Sequence, residues 1–438
     1  MLIQFSVRNF RTFKEKATLS MVASNYDKDT REEENIIDNT QFNLRILKSA
    51  VVYGPNASGK SKFIEAFMFM KRFVISSSRE SQKSDPIGVE AFMLIDTHEI
   101  SGSEFEIIFL HKNSIYRYGF EVNRERVIKE WFYHKPKTKE IELFYRKGQN
   151  FDYHQRSFSK GGPLIKGDLV RNNALFLSVA AQFNEAYSVS TIEWFNNLRI
   201  ISGLREEGYQ TFTMGRTERP EHKKKILELL QAADLGIQDV SLEKIDPKNL
   251  PKDASRDLLE LIDRGTKEGA TDFISDVITT HRIYDKNRIS IGEIEFSMDD
   301  DESSGTRKFF ALTGPILDSL ENGLTLIVDE LDSKLHPNLV CKIVALFNSR
   351  ELNPNSSQLI FNTHDTNLLS SELFRRDQVW FMEKDRYGAA KMYSLSDFKS
   401  GEVRKSEAFE DNYIKGKYGA TPYLGYFSEI VEHNSLGK

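Results

Sequence analysis

Apolar runs of two kinds alternate along the chain, and their order sets out a mixed α/β fold. Some are short and almost continuously apolar: Ile46-Leu47-Lys48-Ser49-Ala50-Val51-Val52-Tyr53, Leu324-Thr325-Leu326-Ile327-Val328 and Gln358-Leu359-Ile360-Phe361. Runs of this kind predict strands buried on both faces, as in a parallel sheet. Between Glu104 and Tyr153 the pattern becomes an alternation, in Phe105–Phe109, Tyr116–Val122 and Ile141–Tyr145. That predicts an antiparallel meander. Helical spacing, one face apolar and one polar, marks Lys62–Phe73, Glu221–Ala233 and Asp257–Arg264. From about Phe158 to Asp285 helical spacing prevails, with breaks, and predicts a helical insertion. Three regions follow: 1–155, 156–288 for the insertion, and 289–438 to complete the sheet. The charged stretch Tyr26–Asn39 predicts a loop.

Candidate chemistry sits at the ends of the apolar runs. Gly54-Pro55-Asn56-Ala57-Ser58-Gly59-Lys60-Ser61 fits G-x-x-x-x-G-K-[ST], with a strand before it and a helix after it. Backbone N–H groups and the positive end of a helix dipole would then converge on one phosphate site. Gly54, Asn56, Ala57, Ser58 and Gly59 would form the cradle. Lys60 would reach the β- and γ-phosphates, and the Ser61 hydroxyl would bind Mg²⁺. The motif serves ATP and GTP alike. The run at Leu324–Val328 ends in Asp329-Glu330, the pattern of a Walker B strand. Asp329 would hold the metal and Glu330 would activate water as general base. Some two dozen residues upstream, Glu302-Ser303-Ser304-Gly305-Thr306 opens another helix. It reads as an N-cap or as a second anion site built on Ser304 and Gly305. The third buried run ends in Asn362-Thr363-His364-Asp365, which offers His364.

These motifs, in this order, resemble the ABC/SMC-type ATPases. The resemblance implies an α/β head: a mixed sheet with flanking helices and an antiparallel β subdomain, here with a helical insertion. The insertion is far too short for the long heptad arm of an SMC-type protein. It further implies ATP and Mg²⁺ as ligands and a head-to-tail homodimer or higher oligomer. Ser304 and Gly305 would be the signature loop that meets the partner's γ-phosphate. Leu331–Pro337 would be the D-loop, with His336 on its surface, and His364 the switch histidine. The opening Leu2–Phe13 is similar to the family's first strand and its N-F-R-x-F turn, with Arg11 as a nucleotide contact. A glutamine loop belongs between Walker A and the signature; Gln82 is the candidate. More closely, the chain resembles RloA/AbiLi-like AAA-family ATPases of bacterial antiphage and abortive-infection loci. The residues that carry this are Ala180–Asn184, Trp194–Leu198, Asp377–Lys384, Leu395–Phe398 and Tyr413–Leu424. That likeness implies a sensor or regulator ATPase that controls a partner effector, RloB-like or another nuclease or toxin.

Two other readings stay open. One is an SMC-like ATPase that binds DNA directly, as in repair. The other is an OLD-like ATPase-nuclease; Glu383 and Asp385 after a strand resemble Toprim metal ligands, but no Asp-x-Asp follows. A net charge of −5 over 438 residues gives no broad basic surface. The basic runs Lys135–Lys139 and His222–Lys225 read as a hairpin loop and a helix start. No apolar run is long enough to cross a bilayer, and no signal peptide precedes Leu2, which predicts a cytoplasmic protein. The single cysteine, Cys341, excludes a disulfide framework or a Cys-x-x-Cys zinc hook and reads as a core residue.

Overall fold

The computed structural model describes residues 1–25, 30–79, 82, 84–94, 102–245, 273–398 and 408–422. Two sheets dominate. The first is antiparallel, in spatial order β10-β9-β8-β7-β6-β1-β2. Its strands are β1 (Leu2–Arg8), β2 (Ala17–Ser20), β6 (Ser103–His111), β7 (Ser114–Val122), β8 (Val127–Lys135), β9 (Ile141–Lys147) and β10 (Asn150–Tyr153). The predicted meander is therefore present, with β1 and β2 added at its edge. The second sheet has the order β11-β15-β16-β5-β17-β18. Here β5 (Ser49–Tyr53), β11 (Arg199–Ser202), β15 (Thr325–Asp329), β16 (Gln358–Asn362) and β17 (Val379–Lys384) run parallel; β18 (Ala390–Ser394) is antiparallel to β17. This is the expected α/β arrangement of a mixed sheet beside an antiparallel β subdomain.

Alternation along the parallel strands explains how one sheet serves two cores. Ala50 and Val52 of β5 face a core shared with the antiparallel sheet, while Val51 and Tyr53 face the opposite core. The helices are α1 (Glu32–Asn35), α2 (Lys60–Ser76), α3 (Gly161–Lys166), α4 (Phe176–Gln182), α5 (Ala186–Asn197), α6 (Glu207–Thr217), α7 (Pro220–Ala232), α8 (Ser304–Asn322), α9 (Pro337–Asn348) and α10 (Phe409–Ile414). Helix α2 buries Phe63, Ile64, Ala66, Phe67, Met70 and Val74, the stripe that its periodicity calls for. Helix α8 begins at the Ser303 cap and stops at Gly323, whose φ of 65° closes a left-handed turn.

The structure corrects several expectations. The run Ile46–Tyr53 is two strands: β4 (Leu44–Leu47) pairs antiparallel with β3 (Ile36–Asn39), and β5 starts after Lys48. The segment 30–39 is folded as α1 and β3, with Arg45 paired to Glu32, because its charges find partners. The remainder of that predicted loop, 26–29, lies outside the described residues. The region 156–288 is only partly helical. It supplies β11 to the central sheet, and β12 (Ile237–Ile245) and β13 (Phe273–Tyr284) to a small sheet completed by β14 (Ser290–Ser297). The predicted helix Asp257–Arg264 lies outside the described residues, as does the end of the C-terminal motif, Tyr423-Leu424. Among the described residues no helix is long and apolar enough to cross a membrane.

Candidate functional site

Strand β5 delivers Gly54 to the C-terminal edge of the parallel sheet, and α2 starts at Lys60. The loop between them needs its glycines. A Cβ on Gly54 would lie 2.2 Å from the Met382 carbonyl oxygen, and one on Gly59 would lie 2.9 Å from Thr12 Oγ1. Both glycines have positive φ, 156° and 111°. Lys60 is buried, and its ammonium donates to the carbonyls of Gly54 (2.6 Å) and Pro55 (3.2 Å). Burial lowers its pKa to about 8, against the pull of Glu330, Asp332 and Asp329. The Ser58 hydroxyl is buried and makes no hydrogen bond among the described residues. A glycine-bounded ring of backbone amides with a lysine and an orphaned hydroxyl fits a polyphosphate.

Strand β15, next but one to β5, ends in Asp329 and Glu330. Glu330 sits at φ 54°, in the left-handed region. Three residues hold it there. Asn362, at the end of β16, donates to Asp329 Oδ1 (2.5 Å) and accepts from the Glu330 N–H (2.6 Å). Gly203, just past β11, donates to the Asp329 carbonyl (2.6 Å), and a Cβ there would lie 2.1 Å from the Glu330 carbonyl oxygen. Lys308 in α8 is fully buried and donates to the carbonyls of Glu330 (3.1 Å), Leu331 (3.1 Å) and Ser333. Burial brings the pKa of Lys308 to about 8 as well. The Asp329 and Glu330 carboxylates, with the Ser61 hydroxyl, are donors suited to Mg²⁺ and to a water-activating base.

His364 follows β16, and its N–H donates to Asp332 Oδ2 (3.2 Å). Protein packed around the ring lowers the imidazole pKa, and the Lys60 ammonium adds to this, against Asp332, Glu330 and Asp329. The ring is therefore neutral at pH 7. His364 and residues Tyr53–Ser58 line one cleft of about 800 Å³. Its far wall is the C-terminal turn Gly416–Pro422. That turn is pinned to β17 and β18: Glu383 of β17 accepts from the Ala420 N–H (3.0 Å), and the Tyr393 hydroxyl of β18 donates to the Tyr418 carbonyl (2.8 Å).

Ser304 and Gly305 lie elsewhere. Ser303, not Ser304, caps α8, accepting from the Thr306 N–H (3.1 Å). Ser304 is exposed, and a Cβ on Gly305 would lie 2.8 Å from the Lys334 carbonyl oxygen. Gly305 lines a separate cleft of about 570 Å³ with Lys334, His336 and Lys342. Within one chain, then, the P-loop and the Ser-Ser-Gly loop open into different clefts. Residues 330–336 connect them.

Other sequence candidates fall as follows. Arg11 packs beside α2, but its guanidinium is paired with Glu65 (3.0 Å) and Glu90 (2.9 Å); the neighbour that touches the P-loop is Thr12. His336 accepts from the Asn338 N–H (3.2 Å) and caps α9. Gln82 lies beyond the C-terminal end of α2, some 25 Å of helix away from Lys60. Glu383 is engaged with the C-terminal turn, and Asp385 accepts from the Tyr387 and Ala389 N–H groups, so the two act in local structure. Lys223, Lys224 and Lys225 pair with Asp239, Glu228 and Glu321. Sequence reasoning missed Asn362, Gly203 and Lys308. A polar residue ending a buried strand, and a lysine inside an apolar helix face, were the available signals.

Residues 49–370, well over half of the chain, match the family described as "AAA domain, putative AbiEii toxin, Type IV TA system". The chain belongs to this AAA family. Its P-loop fold is that of an ATP-binding ATPase domain. No curated protein matches it. Among solved structures it is similar to the SMC head domain from Thermotoga maritima, at 12% identity and a TM-score of 0.39, over 90% of this chain and 98% of that one. It is also similar to an SmcHead bound to the C-winged helix domain of ScpA: 12% identity, TM-score 0.42, 92% of this chain and 99% of that one. A third likeness is to an Smc head domain with an extended coiled coil bound to the C-terminal domain of ScpA from Pyrococcus furiosus: 11% identity, TM-score 0.37, 90% and 96% covered.

The lowered pKa of Lys60 makes nucleotide binding by this AAA domain proton-linked. Phosphate charge raises the pKa of a lysine beside it. Below pH about 8 the ammonium is already charged and binds without uptake. Above it, ATP binding should draw a proton from solution, and affinity should weaken by up to tenfold per pH unit. Calorimetry at pH 9 in two buffers of different ionisation enthalpy measures the uptake directly; equal heats would contradict it.

Proposed function

We propose that this chain is an ATP-hydrolysing regulator of a bacterial antiphage system, working as a head-to-tail dimer that controls a partner effector. One observation carries the dimeric part: the P-loop and the Ser-Ser-Gly loop open into different clefts of the same chain, too far committed to separate walls to serve one nucleotide. Two copies facing each other would join the halves. Gly54, Asn56, Ala57, Ser58, Gly59 and Lys60 of one copy hold the phosphates. Ser304 and Gly305 of the other complete the γ-phosphate shell. Ser61 and Asp329 would hold Mg²⁺, which neutralises phosphate charge when bound. Glu330 takes the proton of the attacking water, and the neutral His364 donates a hydrogen bond to the γ-phosphate oxygen. Catalysis here is positioning and charge stabilisation.

The defence role rests on the resemblance to RloA/AbiLi-like proteins. The family's own description, which names a type IV toxin–antitoxin system, supports a toxin-linked setting. The effector would be a separate RloB-like protein, nuclease or toxin. Direct DNA binding is less favoured, because the lysines of the second basic run are used in ion pairs.

A mixing experiment tests the shared site. Lys60→Ala and Ser304→Arg chains should each be inactive alone. Mixed in equal amounts they should recover about a quarter of wild-type turnover, because half of the dimers are mixed and each of these has one intact composite site. No recovery would sink the head-to-tail reading while leaving nucleotide binding untouched.

A further inference from the structure

Large apolar side chains crowd one exposed hairpin. They are Ile283 and Tyr284 at the end of β13, Ile289 before β14, and Ile291, Ile294 and Phe296 along it, each 36% to 64% exposed. Single exposed apolar residues are ordinary; Ile283, Ile294 and Phe296 share one face of this hairpin and form a patch that calls for a partner. β14 is also an edge. The order β12-β13-β14 leaves one of its sides paired, and among the described residues no strand pairs with the other. An open edge presents alternate N–H and C=O groups to any extended chain. Natural edges are guarded by proline, by charged side chains, lysine above all, or by a bulge; the charges on β14 are the carboxylates of Glu293 and Glu295, which repel a like strand and admit a basic one. The sequence of β14, Ser-Ile-Gly-Glu-Ile-Glu-Phe-Ser, has neither proline nor lysine, and the one register shift against β13 lies at the hairpin tip.

Charge selects the kind of strand that fits. Ile291, Glu293 and Glu295 share one face of β14, with Arg282 of β13 opposite Glu293 and the outer side of both carboxylates left to an incoming strand; Ile294 and Phe296 share the other face, where Phe296 meets the His281 ring at 5.1 Å. Two copies of β14 pairing antiparallel would gather four carboxylates on one face, which like-charge repulsion disfavours. A strand with lysine or arginine opposite Glu293 and Glu295 would gain instead. We infer that β14 is a docking edge for an extended segment of another protein, alternating basic side chains on one face with apolar ones on the other. The segment joins as a fourth strand, with backbone hydrogen bonds giving affinity and alternate side chains giving specificity.

The edge is mechanically close to the Ser-Ser-Gly loop. Thr279 and His281 of β13 hold the Glu302 carboxylate at 2.8 and 2.7 Å, and Glu302 precedes the Ser303 cap. An added strand would steady this stretch and so bias how Ser304 is presented. That consequence rests on the proposed ATPase reading; the docking itself does not.

The probe is a fluorescein-labelled peptide of alternating lysine and valine, titrated with the full chain at low salt and read by anisotropy. A glutamate–valine peptide is the control. The lysine peptide should bind, and hydrogen exchange should slow within Ser290–Ser297. Reversing both charges, Glu293→Lys with Glu295→Lys, should weaken it at least tenfold and admit the control peptide. The Lys60→Ala chain should bind the peptide as wild type does, which separates failure of docking from failure of the ATPase reading. Affinity indifferent to charge reversal, or protection appearing elsewhere, overturns the inference. So does a wild-type mass twice that of an Ile291→Asp chain, which would mean that a second copy covers the edge.

Discussion

Replacing Glu330 with glutamine should cut ATP turnover by about 10³-fold while leaving nucleotide binding intact. The backbone of Glu330 is held by Asn362, Gly203 and Lys308, but its carboxylate has no hydrogen-bond partner among the described residues. The amide therefore removes a base without removing a contact that holds the fold. A trapped nucleotide should also keep the dimer closed. Turnover and molecular mass, measured with and without ATP, give the decision. Lost turnover with an ATP-dependent dimer supports the shared site. Surviving turnover would mean that another group takes the proton. Lost turnover with unchanged mass would leave Glu330 as base and remove the Ser-Ser-Gly loop from the mechanism.

Lys308→Met should be the most damaging change remote from the phosphates. The methionine fills the volume but donates to none of the three carbonyls, of Glu330, Leu331 and Ser333, that the ammonium now satisfies. Leaving buried acceptors unpaired costs about 1–3 kcal/mol, visible as a lower denaturant midpoint. A separate loss is functional. Glu330 keeps its left-handed backbone only because its surroundings impose it. Freed, it should relax, and kcat should fall by tenfold or more with little change in KM. A drop in stability with normal kcat would make Lys308 a packing residue only. Because Lys308 belongs to α8, which begins at Ser304, it is also a physical link between the two clefts.

The parts of this molecule that obey local rules were legible in the sequence. The P-loop is contiguous, and its strand and helix flank it as spacing demands. The meander 103–153 follows from alternation. Strands β15 and β16 follow from their continuous apolar runs. What escaped was non-local. The four residues of β11 are too few to show a period, and they are a strand because β15 pairs with them across more than a hundred residues. Arg11 read as a nucleotide contact because of its turn, yet Glu65 and Glu90, each far along the chain, take up its charge. Asn362 looked like a bystander next to His364. Its role as a brace between Asp329 and Glu330 exists only once β15 and β16 lie side by side. Ser303 and Ser304 carry the same side chain, and only the backbone turn decides which one caps the helix.

The strand order has a consequence for how the protein is made. β5, which carries the P-loop, pairs with β16 on one side and β17 on the other, through Leu359↔Ser49 and Val379↔Val51. Both neighbours are synthesised some 300 residues later, and Met382, against which Gly54 packs, comes with them. Long-range pairing of this kind closes late. A nascent chain carries the P-loop sequence early, but the ribosome has to add the residues through β17 before that sequence has a sheet to bend it into a cradle.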